Sequence, residues 1–391
     1  MKYIILSTLL VLSAGLEAQV LREINFSYQY SLNKAFGFAI KPIRQGNTWT
    51  IFYKLQILDT TKVTIDLFKI QWEIRSSFSD KEGTILNPAK IGQSVLHSDK
   101  SGLIGKITVE ASQDQSVLVA RVQNTPAKEL TLFHTSLDPN YPVDGYLQSA
   151  TGEVIFDSYI NTGQVVSLRG YASDQPVIIS YYDDNFPTAA PAFSEGQARV
   201  STNIKPDSIF QLALGTDIQF YKKGLYLAQK DTSTTNGFSF RVEDGFPKFK
   251  KLEDLVGPFI YVSTKQEFDK LAQAQKDKKQ FDRVVISITQ NADRAKNFMR
   301  SYFRRAELAN QYFTSYKEGW KTDRGMIYII FGAPQDVFKF SDREVWTYGK
   351  TSFNFTKSST LFDPDNYVLI RDKKYTEQWY ETVDLVRNGR F

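Results

Sequence analysis

The chain has 391 residues, 42% of them hydrophobic and 14% aromatic, with a formal net charge of +5. That length suits two or three domains, and so small and well mixed an excess of Lys and Arg argues against a nucleic-acid partner. It contains no cysteine, which excludes disulfides, thiol nucleophiles, thiolate zinc sites, Fe–S clusters and a lipid-modified N-terminal cysteine; its two histidines, His97 and His134, exclude a His-rich metal site.

Residues 1–18 read as an export signal. Lys2 supplies the positive start, residues 3–12 the apolar run, and Ser13, Ala14 and Gly15 the small residues before a cleavage point after Ala18. The run is shorter than the ~20 residues a spanning helix needs. No later stretch is long and apolar enough to cross a bilayer. The expectation is an exported protein of the periplasm or associated with the outer membrane, with no integral span after cleavage, and not a lipoprotein.

Residues 19–137 read as a first β module. Ile24-Asn25-Phe26-Ser27-Tyr28-Gln29-Tyr30 alternates with period two, as do residues 49–55, 63–68 and 70–74. Strands at 104–109 and 117–122 follow, separated by turn residues such as Gln45-Gly46-Asn47. The spacing predicts an antiparallel, Ig-like β-sandwich. His134 follows the apolar run 130–133 and is expected as a strand-end residue, not a base.

Two prolines in Ser136-Leu137-Asp138-Pro139-Asn140-Tyr141-Pro142 mark a linker into a second, sandwich-like module at 138–255. Its expected strands are 153–156, 165–168, 177–182, 208–214 and 237–242. A Pro/Ala loop at 185–193 interrupts them, and a loop of that length is usually functional or mobile.

The pattern changes at residues 256–391, which read as an α+β domain. Residues 259–262 are expected as a strand, and Thr264 with Glu267 as the capping box of a helix. Lys276, Lys278 and Lys279 are placed near that helix's end. From 292 to 316, apolar residues recur at three and four, with Arg294, Lys296, Arg300, Arg304 and Arg305 between them. Gly319 is expected to stop this helix in a left-handed conformation. A corner at 319–325, a strand at 326–331 and the turn Gly332-Ala333-Pro334 follow. Further strands are expected at 344–348, 352–356 and 367–370. The closing helix carries Trp379, Tyr380, Val383 and Val386.

The corner is the densest signature in the chain. Trp320 is a large plate with one N–H to satisfy. Thr322 and Asp323 suit a turn fixed by side-chain hydrogen bonds. Arg324 is able to fork onto a carboxylate or carbonyls. The reading is a specified structural corner or a contact face formed by Trp320, Thr322, Asp323, Arg324 and the downstream Trp346. No catalytic residue is assigned. Asp363-Pro364-Asp365-Asn366 and Asp183-Asp184-Asn185 lack the spaced acids of a calcium loop, so neither a metal nor a cofactor is expected. Phosphate-binding glycine loops and hydrolase signatures are absent from the sequence.

Gly319-Trp320-Lys321-Thr322-Asp323, the following Tyr328-Ile329-Ile330-Phe331-Gly332 and Glu344-Val345-Trp346-Thr347-Tyr348 resemble the GWxTD-domain proteins over roughly residues 258–350. The exit Gly332-Ala333-Pro334-Gln335-Asp336 differs from the usual Gly-Pro-Pro-Asp-Glu. Val284-Val285 stands where such proteins often carry Phe-Trp. The resemblance implies an exported envelope protein of Bacteroidota-like bacteria with β-rich N-terminal modules, and carries over no catalytic residue. The function expected is a non-enzymatic scaffold or adaptor that binds an envelope protein partner through the C-terminal domain. The alternatives are a glycan- or peptide-binding module using exposed Trp320, Trp346 and Trp379, and a hydrolase using carboxylates only.

Overall fold

The computed structural model describes residues 20–125, 129–170, 176–183, 186–195 and 204–391; the expected export signal lies outside them. The fold is two β-sandwich modules followed by an α+β region.

The first module contains β1 (Phe36–Gln45), β2 (Thr48–Ile57), β3 (Phe68–Arg75), β4 (Thr84–Ile85), β5 (Ser94–Asp99), β6 (Gly102–Glu110), β7 (Ser116–Asn124) and β8 (Glu129–Leu137). They form two antiparallel sheets, ordered β1-β2-β6-β5 and β4-β3-β7-β8. Alternate residues Trp49, Ile51, Tyr53 and Leu55 of β2 meet Leu118, Ala120 and Val122 of β7 in the core between the sheets. The other face of β7 is not wet: Val117 and Val119 pack into a second core shared with the C-terminal region. A strand covered on both faces reads as a continuous apolar run.

The second module contains β9 (Tyr146–Ser149), β10 (Tyr159–Asn161), β11 (Val165–Arg169), β12 (Val177–Tyr182), β13 (Ser208–Leu212), β14 (Ile218–Gln219), β15 (Gly224–Gln229) and β16 (Phe238–Glu243). Its sheets run β14-β11-β9 and β10-β16-β15-β12-β13, with β10 parallel to β16. Tyr226 and Ala228 of β15 face the core between these sheets, while Leu225 and Leu227 pack against Phe362 from near the chain's end.

The C-terminal region contains α1 (Leu252–Val256), α2 (Lys265–Gln273), α3 (Lys278–Thr289), α4 (Ala292–Phe313) and α5 (Asp323–Phe331), then strands β17 (Asp336–Lys339), β18 (Arg343–Tyr348), β19 (Thr351–Lys357) and β20 (Tyr367–Leu369), and finally α6 (Thr376–Arg387). The four strands form one antiparallel meander. Thr264 caps α2 as expected, its Oγ1 accepting from the Glu267 N–H at 3.3 Å while Glu267 accepts from the Thr264 N–H at 2.8 Å.

Several expected elements differ. Residues 24–30 alternate like a strand but follow one 3-10 turn, Leu21–Glu23, and contain another, Ser27–Tyr30, and Phe26 and Tyr30 enter the C-terminal core. In 63–68 a 3-10 turn at Ile65–Leu67 precedes β3. Within 153–156 only Val154 makes a bridge, to Gln148. Residues 259–262 belong largely to the 3-10 helix Gly257–Tyr261, with Pro258 in its first turn. Lys278 and Lys279 do not end α2; they open α3, capped by Asp277, whose carboxylate accepts from the Lys279 and Gln280 N–H groups. His134 lies within β8, its ring edge-on to Phe26 and Phe78, and burial holds its pKa well below the ordinary value.

Candidate functional site

Asn291 opens α4, its Oδ1 accepting from the N–H groups of Asp293 and Arg294 at 2.8 and 3.2 Å. The helix buries Phe298, Tyr302, Ala306, Ala309 and Phe313 along one face. The chain then doubles back over it through a 3-10 turn, Gly319–Lys321. Gly319 is not left-handed as expected. A Cβ there would lie 1.9 Å from the Ala309 carbonyl oxygen, so glycine is required because the turn lies flat on α4.

Side chains fasten that turn. The Gly319 N–H donates to Thr314 Oγ1 at 2.8 Å, and the Trp320 N–H to Asn310 Oδ1 at 3.1 Å. The Trp320 ring covers Gly257, where a Cβ would come within 2.8 Å of it, and Tyr261 donates its hydroxyl to the Trp320 carbonyl at 2.9 Å. Thr322 donates to the Gly319 carbonyl at 2.8 Å and accepts from the Gly325 N–H at 3.0 Å, which caps α5. Residues 326–331 are therefore helix, not the expected strand. Met326 to Ile330 are all buried, and a helix buried on every side shows no amphipathic period.

Asp323 and Arg324 face different partners. Asp323 accepts from the Leu369 N–H at 2.8 Å and from Arg371 Nη2 at 2.5 Å. Arg324 reaches Glu344 at 3.5 Å and the Asp365 carbonyl at 3.2 Å, with its guanidinium over the Tyr367 ring. Glu344 also meets Lys339 at 3.4 Å and accepts from the Trp346 indole N–H at 3.1 Å. Burial alone would raise the Glu344 carboxyl; Lys339, Arg324 and the indole outweigh it and hold the pKa below the ordinary range. Asp365 in turn pairs with Lys357 at 2.8 Å.

The Pro/Ala loop proves to be a strap across this corner. The Ala189 N–H donates to the Lys321 carbonyl at 2.9 Å, Lys317 donates to the Pro187 carbonyl at 3.1 Å, and Arg371 donates to the Ala190 carbonyl at 3.1 Å. From the other side, the Phe26 N–H donates to the Val337 carbonyl at 2.8 Å and Lys339 donates to Gln29 at 3.0 Å.

Of the residues singled out in the sequence, Trp320, Thr322, Asp323, Arg324 and Trp346 all belong to this one assembly. Trp320, Trp346 and Trp379 are 8, 0 and 3% exposed, so the expectation of exposed tryptophans is corrected: the fold turns all three inward. Glu344 and Arg371 were missed. Glu344 had left a signal, because it shares the buried face of β18 with Trp346 and Tyr348 at period two. Arg371 left none.

This architecture defines a class: a protein of two β-sandwich modules joined to an α+β domain built on a tryptophan-bearing corner. It carries a GWxTD domain: residues 224–388 match that family. The match extends on both sides of the stretch expected from the sequence, taking in β15, β16 and α6. No curated protein matches the chain. Among solved structures, a titin substructure is 11% identical, covering 54% of this chain and 100% of its own, at a TM-score of 0.20. The C-terminal 282-residue fragment of intimin, solved with the intimin-binding domain of its translocated receptor, is 9% identical, covering 85% of this chain and 94% of its own, at a TM-score of 0.16.

Proposed function

We propose that the protein is a non-enzymatic, exported scaffold or adaptor of the cell envelope that engages a protein partner through its GWxTD domain. The observation that supports this is the state of the signature itself. Asp323 is held by Arg371 and a backbone N–H, Arg324 and Lys339 by Glu344, and Trp320 by Asn310 and Tyr261. Buried charges with fixed partners suit the holding of a shape. A carboxylate-only hydrolase would need Asp323 available to substrate, whereas its oxygens already accept from Arg371 and Leu369. The glycan alternative lost its main premise when the three indoles proved buried.

What such a domain displays is surface. Ile260, Ile370, Tyr380 and Leu385 are each exposed on it, and exposed apolar side chains are what protein partners bury. In-cell crosslinking with mass spectrometry tests the reading. The expected result is recovery of one or a few envelope proteins linked to residues of the 256–391 region. Recovery of none, across several crosslinker lengths, counts against it.

A further inference from the structure

β1 is an edge strand. Its pairing with β2 is unbroken from Phe36↔Ile57 to Gln45↔Thr48, and no strand pairs with its other side among the described residues. The Leu58 N–H bonds the Ala35 carbonyl, so odd-numbered residues turn their main chain to β2. The Arg44 N–H bonds the Val143 carbonyl, so even-numbered residues turn away. The main-chain N–H and C=O groups of Phe36, Phe38 and Ile40 are left pointing outward, with no ladder partner.

Those residues border a cleft of about 590 Å³ between β1, β8, residues 156–159 and the end of α4. A second hollow of about 530 Å³ shares Lys34, Gly37, Gln311 and Tyr312 with it, so the groove continues along the strand. Tyr28, Phe156 and Tyr312 give the walls apolar surface. Its lining carries both signs: Lys34, Arg324 and Lys339 with Glu129 and Asp157. Arg324 and Lys339 both pair with Glu344, and the Asp363 and Asp365 carboxylates are close enough to act on Arg324 as well. Lys34 lies over the Tyr312 ring at 4.8 Å and donates to the Gln29 carbonyl, and among the described residues no carboxylate pairs with it. Glu129 and Asp157 are exposed and line the same cleft, so Lys34 is the cation there without an ion-pair partner among the described residues.

We propose that this groove binds an extended, acidic peptide segment of a partner protein, which adds a strand to β1 and sets a carboxylate against Lys34. The inference rests on the adaptor reading and gives it a second contact, between the first sandwich and the GWxTD domain. Unpaired main chain along a groove is the requirement for strand addition; side-chain pockets and charge then choose the sequence. An acidic sugar would meet the lysine but not the repeating donors and acceptors of the strand edge.

A random heptapeptide library displayed on phage, panned on the full chain, supplies the probe. The expected selection alternates apolar residues with Asp or Glu. A synthetic copy should slow amide exchange at Phe36, Phe38 and Ile40. Its affinity should fall about tenfold or more in Lys34→Glu, as loss of a charged hydrogen bond implies, and be lost when its alternate amides are N-methylated. Gln311→Trp, which narrows the groove without touching the strand, is the second variant should Lys34→Glu not fold. No enrichment overturns the proposal, as does a neutral or basic selection. So does an acidic peptide that is indifferent to the variants and leaves those amides unprotected, or an acidic oligosaccharide that competes the peptide away and protects no amide. If crosslinks to envelope proteins persist while the groove stays empty, the strand-addition site falls and the adaptor reading stands.

Discussion

Glu344 stands between two cations and an indole, and that placement makes its charge a part of the fold. Its folded pKa lies below the ordinary 4.5, so the ionised carboxylate contributes stability above that value and loses it as pH falls through the folded value. Glu344→Gln leaves Lys339 and Arg324 buried without an anion. It is expected to lose about 3–5 kcal/mol at neutral pH, with the gap to the parent chain narrowing below pH 4.5. Urea melts across pH check this, and a gap that stays constant into acid contradicts it. The glycines of the corner act by space. A Cβ on Gly319 would meet the Ala309 oxygen at 1.9 Å, and one on Gly325 the Gly319 oxygen at 1.8 Å, whereas one on Gly37 finds only Leu58, at 3.8 Å. Alanine at 319 or 325 should cost roughly 4 kcal/mol or prevent folding, and at 37 should be mild, as thermal melts would register. Asp323 and Arg324 are adjacent in the sequence but do not pair with each other. Neighbours in a helix point about a quarter-turn apart, so the fold sends one to Arg371 and the other to Glu344. Those partners come from other elements, which linear reading does not reach.

At the scale of elements, periodicity served best where one face is wet. α4 was legible because its apolar residues fall at three and four, and β2 because Trp49, Ile51, Tyr53 and Leu55 alternate; β7, covered on both faces, was legible only as an apolar run between turns. α5 was misread as a strand because Ile327, Ile329 and Ile330 favour strands locally and burial on all sides removes the helical period. The better signal was Thr322 followed by Asp323, a cap and a first-turn acid. Thr322→Ala is therefore expected to cost about 1–2 kcal/mol and Thr322→Ser much less, read from denaturant midpoints; equal loss in both would argue that the methyl packing matters more than the cap. Residues 24–30 failed for the opposite reason. Their alternation is real, but Phe26 and Tyr30 answer to the core of a distant region, not to a neighbouring strand.

Across the whole molecule, the modules named from sequence are joined by chain segments that cross between them. Leu21, Phe26 and Tyr30 from the start, Val117 and Val119 from β7, and Ala189 and Ala192 from the strap all enter the core around α4 and α5. A chain cut to residues 224–391 should expose that core and run as aggregate or as a species without a cooperative melt. A monomer that melts cooperatively would show the domain self-sufficient. The same interdependence places the corner at the centre of the account, as a part that holds and displays surface. The unfolding free energy of Asp323→Ala, measured in urea on the full chain, tests this most directly. A loss of about 3–5 kcal/mol is expected, as removal of one partner from a buried ion pair implies. An unchanged unfolding curve, together with lost crosslinks to the partner, would contradict it and make the corner a contact site.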